Sequence, residues 1–249
     1  MTAVVYALLG VSFVGLTVRR GSLTLFGALV AVGLGATVIG VAGVLWLLPL
    51  FVFFLSSVLI ERLLPSRADT SSDPKDKQPR DAVQVLCNGG VYVLVLCLPL
   101  AQELALISLA VATADTWASQ VGKSFRQPTF DILRWRPVPV GLSGGVSPAG
   151  HWGGAAGGSL LALTGYVLLS PYALSHLFFV AGFGFVGMLV DSLLGAGLQA
   201  RYRDGRTGRL TDRAAAGNPL VSGLPWLTND GVNLLSIGLT TLLAAAFLP

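Results

Sequence analysis

Asp115 and Ser119 stand one helical turn apart near the end of a long apolar run, in the segment Ala114-Asp-Thr-Trp-Ala-Ser119. Ionisable groups inside such runs are costly to bury and mark binding or chemistry. About twenty residues on, Gly141-Leu-Ser-Gly-Gly-Val-Ser147 offers backbone N–H groups unobstructed by Cβ atoms, the composition of an anion-binding nest. Ser143, Gly144, Gly145 and Ser147 are its candidate phosphate contacts, and Lys123, Arg134 and Arg136 add fixed positive charge before it. Three other apolar runs carry polar residues at helical spacing. These are Arg80, Gln84 and Asn88; Asp191, Gly195 and Gln199; and Asn229 and Asn233 with Asp230 beside them. Asn229 also suits the N-cap of the run that it opens.

Three carboxylates facing one cavity repel unless they are protonated or neutralised. The hard cation that accompanies phosphate is Mg²⁺, held by one or two carboxylates plus substrate oxygens. Asp115 is the first expected ligand, with Asp191 and Asp230 next. A set of interhelical hydrogen bonds without metal is the alternative. Two other chemistries are set aside. Gly122-Lys123-Ser124 resembles the end of a Walker A motif, but Trp117 stands where its first glycine belongs and no strand precedes it. His151 and His176 fall on opposite sides of the expected bundle, so neither a triad nor a metal pair is indicated.

The elements that must position these residues are membrane helices. The chain is 53% hydrophobic and 11% charged with a mean hydropathy of +0.75, far from the composition of a soluble domain. Eight apolar spans are expected at 2–18, 22–40, 42–60, 83–100, 103–122, 151–170, 174–198 and 230–248, in a single all-α polytopic bundle over 1–249. Only small apolar residues, Gly40-Val-Ala-Gly43, separate the second from the third, so seven spans is the alternative. All 16 Lys and Arg then fall in the connectors after the first, third, fifth and seventh spans. The positive-inside rule makes that face cytoplasmic, with both termini outside, in a plasma or thylakoid-type membrane. The net charge of +4 therefore reports topology and not nucleic acid. Connector 61–82 reads as a flexible loop, 123–150 as the phosphate-binding loop, and 199–229 as a basic loop. Cys87 and Cys97 lie in one apolar run without ligand spacing and read as buried small hydrophobes. Trp46, Trp135, Trp152 and Trp226 lie near span ends, where headgroup-level rings are ordinary. The glycines of spans two and six (Gly27, Gly33, Gly35; Gly153, Gly154, Gly157, Gly158) suit close helix packing. Ala114-Asp115-Thr116 and Val190-Asp191-Ser192 each end an inward-running helix alike, a faint internal similarity.

Five motifs occur in order: Asn88-Gly-Gly90, ADTWAS at 114–119, RPVP with SGGVS between 136 and 147, GxxxDSLLGAGLQ at 187–199, and TNDGVN at 228–233. Together they resemble the phytyl-phosphate kinase and transmembrane protein 19 family of integral membrane isoprenoid-phosphate kinases. The resemblance implies a membrane kinase that converts an isoprenyl monophosphate, phytyl phosphate or similar, to its diphosphate, as in tocopherol biosynthesis. The co-substrates implied are a nucleoside triphosphate (CTP or ATP) and Mg²⁺. It implies that Asp115 and Ser119 sit at the nucleotide and metal site, that Ser143, Gly144 and Gly145 line the triphosphate, and that Asp191, Asn229 and Asp230 complete the polar cavity. Asp115, Ser119 and Asp191 are the expected catalytic residues, and Asn88, Asn229 and Asn233 are expected at the nucleotide or its phosphates. The chain departs from the family where Gln120 replaces a Glu and Val140-Gly141-Leu142 replaces Pro-Gly-Thr. The partners implied are an isoprenoid lipid phosphate, a nucleotide and membrane lipids, without nucleic acid. A lipid-phosphate cytidylyltransferase shares nearly the same site, and a secondary transporter or ion pathway is the reading from a different class.

Overall fold

A computed structural model of the chain describes residues 2–66, 78–125, 127–168 and 173–248. Arg67, Lys75, Lys77 and Arg126, and with them half of the expected flexible connector at 61–82, lie outside the described residues. The described chain forms eight α-helices: α1 (Thr2–Arg19), α2 (Leu25–Ala42), α3 (Leu47–Leu63), α4 (Ala82–Cys97), α5 (Gln102–Ser124), α6 (Pro148–Leu168), α7 (Leu174–Gly197) and α8 (Asn229–Ala245). Four of these segments, Leu25–Ala42, Val44–Leu63, Gln102–Ser124 and Leu174–Gly197, are long and apolar enough to cross a membrane.

The break between α2 and α3 decides the count. Gly43 has φ 92°, a conformation that excludes most side chains, and its N–H closes on the Ile39 and Val38 carbonyls. A single 3-10 turn at Val44–Trp46 then redirects the chain into α3. Side chains fix other starts. Thr24 accepts the Gly27 N–H at the head of α2, and Asp81 and Gln84 form a reciprocal capping box at the head of α4. Gln84 is thereby engaged in the cap, so only Asn88 of its stripe reaches the bundle interior. Arg80, the first member, pairs with Glu61 at 3.3 Å and ties the end of α3 to the start of α4.

Helix α5 is the axis. Every residue from Leu104 to Ala114 is buried, and α5 packs against α3, α4, α6, α7 and α8. The α6 glycines allow the closest approach. A Cβ on Gly157 would lie 2.9 Å from the Thr113 carbonyl oxygen, and one on Gly153 2.9 Å from that of Trp117. The expected close packing in span two is narrower: Gly27 meets the Arg80 carbonyl, whereas Gly33 faces open space. Helices α1 to α3 present large apolar side chains outward, Leu16, Phe26 and Leu55 among them, as lipid-facing surfaces do.

The connectors after α1, α3, α5 and α7 gather at one end. The Thr24 N–H bonds the Arg80 carbonyl, the Ser124 hydroxyl donates to the Leu64 carbonyl, and Arg201 reaches Asp131. Two small antiparallel sheets form there: β1 (Phe130–Asp131) with β2 (Gly145–Val146), and β3 (Arg201–Arg203) flanked by β4 (Leu210–Thr211) and β5 (Leu220–Ser222). The basic loop expected at 199–229 thus contains a small three-stranded sheet. Trp135, Trp152 and Trp226 lie exposed near this end. Trp46 instead is buried, its carbonyl accepting the Tyr92 hydroxyl at 2.7 Å, because the 3-10 turn folds it into the bundle. Cys87 is buried but Cys97, at the end of α4 away from the connectors, is exposed.

Candidate functional site

Two carboxylates on neighbouring helices form the inner end of the site. Asp115 of α5 and Asp191 of α7 lie within hydrogen-bonding reach of each other. Charges this close repel unless a proton or a cation lies between them. Helix α8 supports Asp191 from the other side. The Ser236 hydroxyl donates to Asp191 Oδ2 at 2.8 Å. Oriented so that its amide N–H groups face acceptors, Asn233 donates to Asp191 Oδ2 at 3.2 Å and to the Asn229 carbonyl at 3.1 Å. Asn88 of α4 stands next to Asn233. The polar stripes expected on four helices therefore meet.

A cavity of about 120 Å³ extends from this pair toward the connectors. One wall is the α5 face with Asp115, Ser119, Gly122 and Lys123; another is α7 with Asp191, Ser192 and, just past its end, Gln199. The loop from Val140 to Ser147 closes it, with His151, Thr129, Asp212 and Asn229 at the margins.

The loop glycines are dictated by that closure. Gly144 has φ 74°, and a Cβ there would collide with the backbone of Ala196. A Cβ on Gly145 would meet Thr129 Cγ2 at 2.8 Å. Ser143-Gly144-Gly145 is thus pressed against the last turn of α7. Ser147 accepts the Gly150 N–H at 3.2 Å and caps the start of α6.

Behind the loop lies a buried ion pair. Arg201, 3% exposed, donates to Asp131 Oδ2 at 2.7 Å and to the Ser143 carbonyl. Asp131 Oδ1 also accepts the Leu133 and Arg134 N–H groups at 3.0 and 2.8 Å. Burial opposes ionisation of Asp131, but the Arg201 hydrogen bond, the two N–H groups and the Arg201 charge together hold its carboxyl below the usual range. On the cavity side the Ser143 N–H bonds Asp212 Oδ2 at 2.7 Å. Burial pushes the Asp212 carboxyl up to about 6, against the Ser143 hydrogen bonds and the charges of Arg201 and Lys123.

Of the residues singled out in the sequence, Asp115, Ser119, Lys123, Ser143, Gly144, Gly145, Ser147, Asp191 and Asn229 line one cavity. Asn88 and Asn233 lie behind Asp191 instead. Asp230 is buried but is not part of the lining; its neighbour Asn229 takes that place, and Thr228 occupies the N-cap position of α8. Arg134 and Arg136 are exposed and outside the lining, because Arg134 turns to Asp131 and the Ala196 carbonyl. The cations near the loop are Lys123 and Arg201. Thr129, His151, Ser192, Gln199 and Asp212 add further polar side chains to the lining, and only Gln199 carried a spacing signal.

No group of three or more His, Cys, Asp and Glu stands ready to hold a metal among the described residues. Asp115 and Asp191 offer a two-carboxylate edge. That donor set fits Mg²⁺, which takes its other ligands from water and phosphate oxygens.

Comparison with known proteins places this architecture. The chain is 31% identical to Protein PGR of Arabidopsis thaliana over 91% of its own length and 89% of the relative's. It is 32% identical to an uncharacterized membrane protein of Synechocystis sp. over 56% of this chain and 43% of that one. A membrane protein of Methanocaldococcus jannaschii is 31% identical over 62% and 65%. No solved structure matches. Residues 8–241 match the family described as integral membrane protein DUF92, in keeping with the motif resemblance, and the chain belongs to that family.

Proposed function

We propose that the protein is a membrane phosphotransferase that converts an isoprenyl monophosphate to its diphosphate with a nucleoside triphosphate, CTP being the first choice. One observation carries this reading. Two carboxylates from different membrane helices meet at the head of a cavity whose other walls are a lysine and a Ser-Gly-Gly loop.

Phosphoryl transfer asks for in-line placement of two anionic groups and for cancellation of charge on the group in flight. An acceptor that is already an ionised phosphate needs no strong base, which suits a cavity without a histidine paired to a nucleophile. The Ser143 N–H and hydroxyl and the Lys123 ammonium bind phosphate oxygens and fix their direction. Ser119, one turn beyond Asp115, offers a hydroxyl to the same groups. Mg²⁺, when bound by Asp115 and Asp191, supplies positive charge to the phosphate oxygens. The isoprenoid tail lies among the apolar helix surfaces within the bilayer, and the cavity end faces the cytoplasm.

The test is direct. Purified protein in detergent is given Mg²⁺, phytyl or geranylgeranyl phosphate, and each labelled nucleoside triphosphate in turn. Lipid diphosphate with nucleoside diphosphate is the expected product pair. A nucleotidyl lipid with pyrophosphate assigns cytidylyl transfer instead, and absence of product with every combination overturns both.

A further inference from the structure

We propose that the Asp212 carboxylate is an internal occupant of the anion site at Ser143, and that a phosphate group entering the cavity takes its place. The proposal rests on the phosphotransfer reading for the nature of the ligand, while the anion site itself requires no reaction.

The contact has the chemistry of bound phosphate. Asp212 Oδ2 accepts the Ser143 backbone N–H at 2.7 Å across 69 residues of sequence. The Ser143 hydroxyl and the positive charges of Arg201 and Lys123 also favour the carboxylate. These are the donors that the loop offers any anion, and Asp212 lines the cavity where the ligand must arrive.

The fit is nonetheless incomplete. Asp212 Oδ1 is buried without a hydrogen-bond partner, so half of the carboxylate is stripped of water and repaid with nothing. Burial pushes this carboxyl up to about 6, the mark of an anion held in a poor site. A phosphate has more acceptor oxygens to share among the N–H, the hydroxyl and Lys123.

The mounting of Asp212 suits exchange. It directly follows β4, an edge strand of two residues paired only to β3. Arg201, by contrast, is buried on β3 and anchors the sheet to Asp131. Withdrawing Asp212 therefore disturbs an edge and leaves the ion pair and the bundle intact. The same Ser143 N–H can serve one acceptor at a time, so the exchange is competitive.

Pyrophosphate binding measured by titration calorimetry on the purified full chain tests this without turnover. Asp212→Asn keeps the size of the side chain and removes its charge. The expected result is affinity for pyrophosphate raised roughly tenfold, as when a binding-competent state rises from about a tenth of the population to nearly all of it. Unchanged or weaker binding by a variant that melts no lower than the wild type overturns the proposal, since a residue that helps hold the ligand would behave that way. Absence of binding in both proteins overturns it too. Should the variant misfold, hydrogen exchange on the wild type decides: pyrophosphate must speed exchange across Leu210–Arg213 and slow it at Ser143, and no change in the first segment overturns exchange of occupants. Tighter binding by Asp212→Asn in a protein that forms no lipid diphosphate sinks only the kinase reading. Active kinase without tighter binding sinks only this one.

Discussion

At the scale of residues, the reading turns on Asp115. It touches Asp191 and lines the cavity, and the stretch of its helix that leads up to it, residues 104–114, is buried. Asp115→Asn retains size and hydrogen-bonding capacity while removing charge. Transfer is expected to fall by about three orders of magnitude, a loss typical for a charge-stabilising group, with melting temperature unchanged. Wild-type turnover in that variant removes Asp115 from the chemistry. Asp131 behaves oppositely: it supports structure, not transfer. Asp131→Asn strands the buried Arg201 guanidinium and should cost about 3–5 kcal/mol, read as a lower melting temperature. The pH dependence follows from its sign. Asp131 is held below its usual range, so its contribution is complete above about pH 4 and disappears as pH falls through the lower folded value. Asp212, raised to about 6, contributes in reverse, and its part of the stability declines as pH rises from about 4 to about 6. Melting curves of wild type and Asp212→Asn should converge toward pH 4 and separate above pH 6, the variant melting higher; parallel curves contradict the raised carboxyl. These residues also show what sequence could reveal. Asp115 and Asp191 stood out because carboxylates are rare in apolar runs. Asp131, Arg201 and Asp212 lie in connectors, where charges are common, and only the tertiary pairing distinguishes them.

At the scale of elements, hydrophobic length set all eight helices to within a few residues, and polar spacing found the four that meet at the site. The small sheets stayed hidden because strands of two or three residues show no periodicity. Pairs distant in sequence such as Arg201 with Ser222 define them. The glycines of α6 could be read only as small, since the sequence does not say which of two neighbours faces the tighter contact. The structure does. A Cβ on Gly157 lies 2.9 Å from a backbone oxygen of α5 and 3.0 Å from the Trp117 ring, whereas one on Gly158 has its nearest neighbour at 3.4 Å. Gly157→Ala should therefore destabilise by about 1–3 kcal/mol through overpacking. Gly158→Ala should be neutral or gain up to about 1 kcal/mol of helix propensity. Detergent melting of the two variants compares them directly, and equal effects would mean that the α5–α6 contact is looser than described.

For the whole molecule, the decisive property is the difference between its ends. The end at which the connectors after α1, α3, α5 and α7 gather holds the described Lys and Arg residues, some of them in the last turns of the helices, together with both small sheets and the cavity. The opposite end holds Glu103 against His176 at 3.7 Å, and between it and Asp115 the α5 surface is buried, its Ser108 and Thr113 hydroxyls bonded to their own helix. A transporter needs a route from both faces, and this arrangement favours a site served from one. The proposed function needs that face to be the cytoplasmic one, as the positive-inside rule leads one to expect. Labelling with a membrane-impermeant maleimide in intact cells checks the assignment, using a background in which Cys87 and Cys97 are replaced by alanine. Thr207, exposed in the hairpin between β3 and β4, is changed to cysteine in one variant; the native Cys97, exposed at the far end of α4, is restored in another. Cys97 should react from outside, and Thr207→Cys only after the membrane is opened. The reverse pattern would put the cavity on the outer face, away from cytoplasmic nucleoside triphosphates, and phosphoryl transfer from them would then be untenable however well the carboxylates are placed.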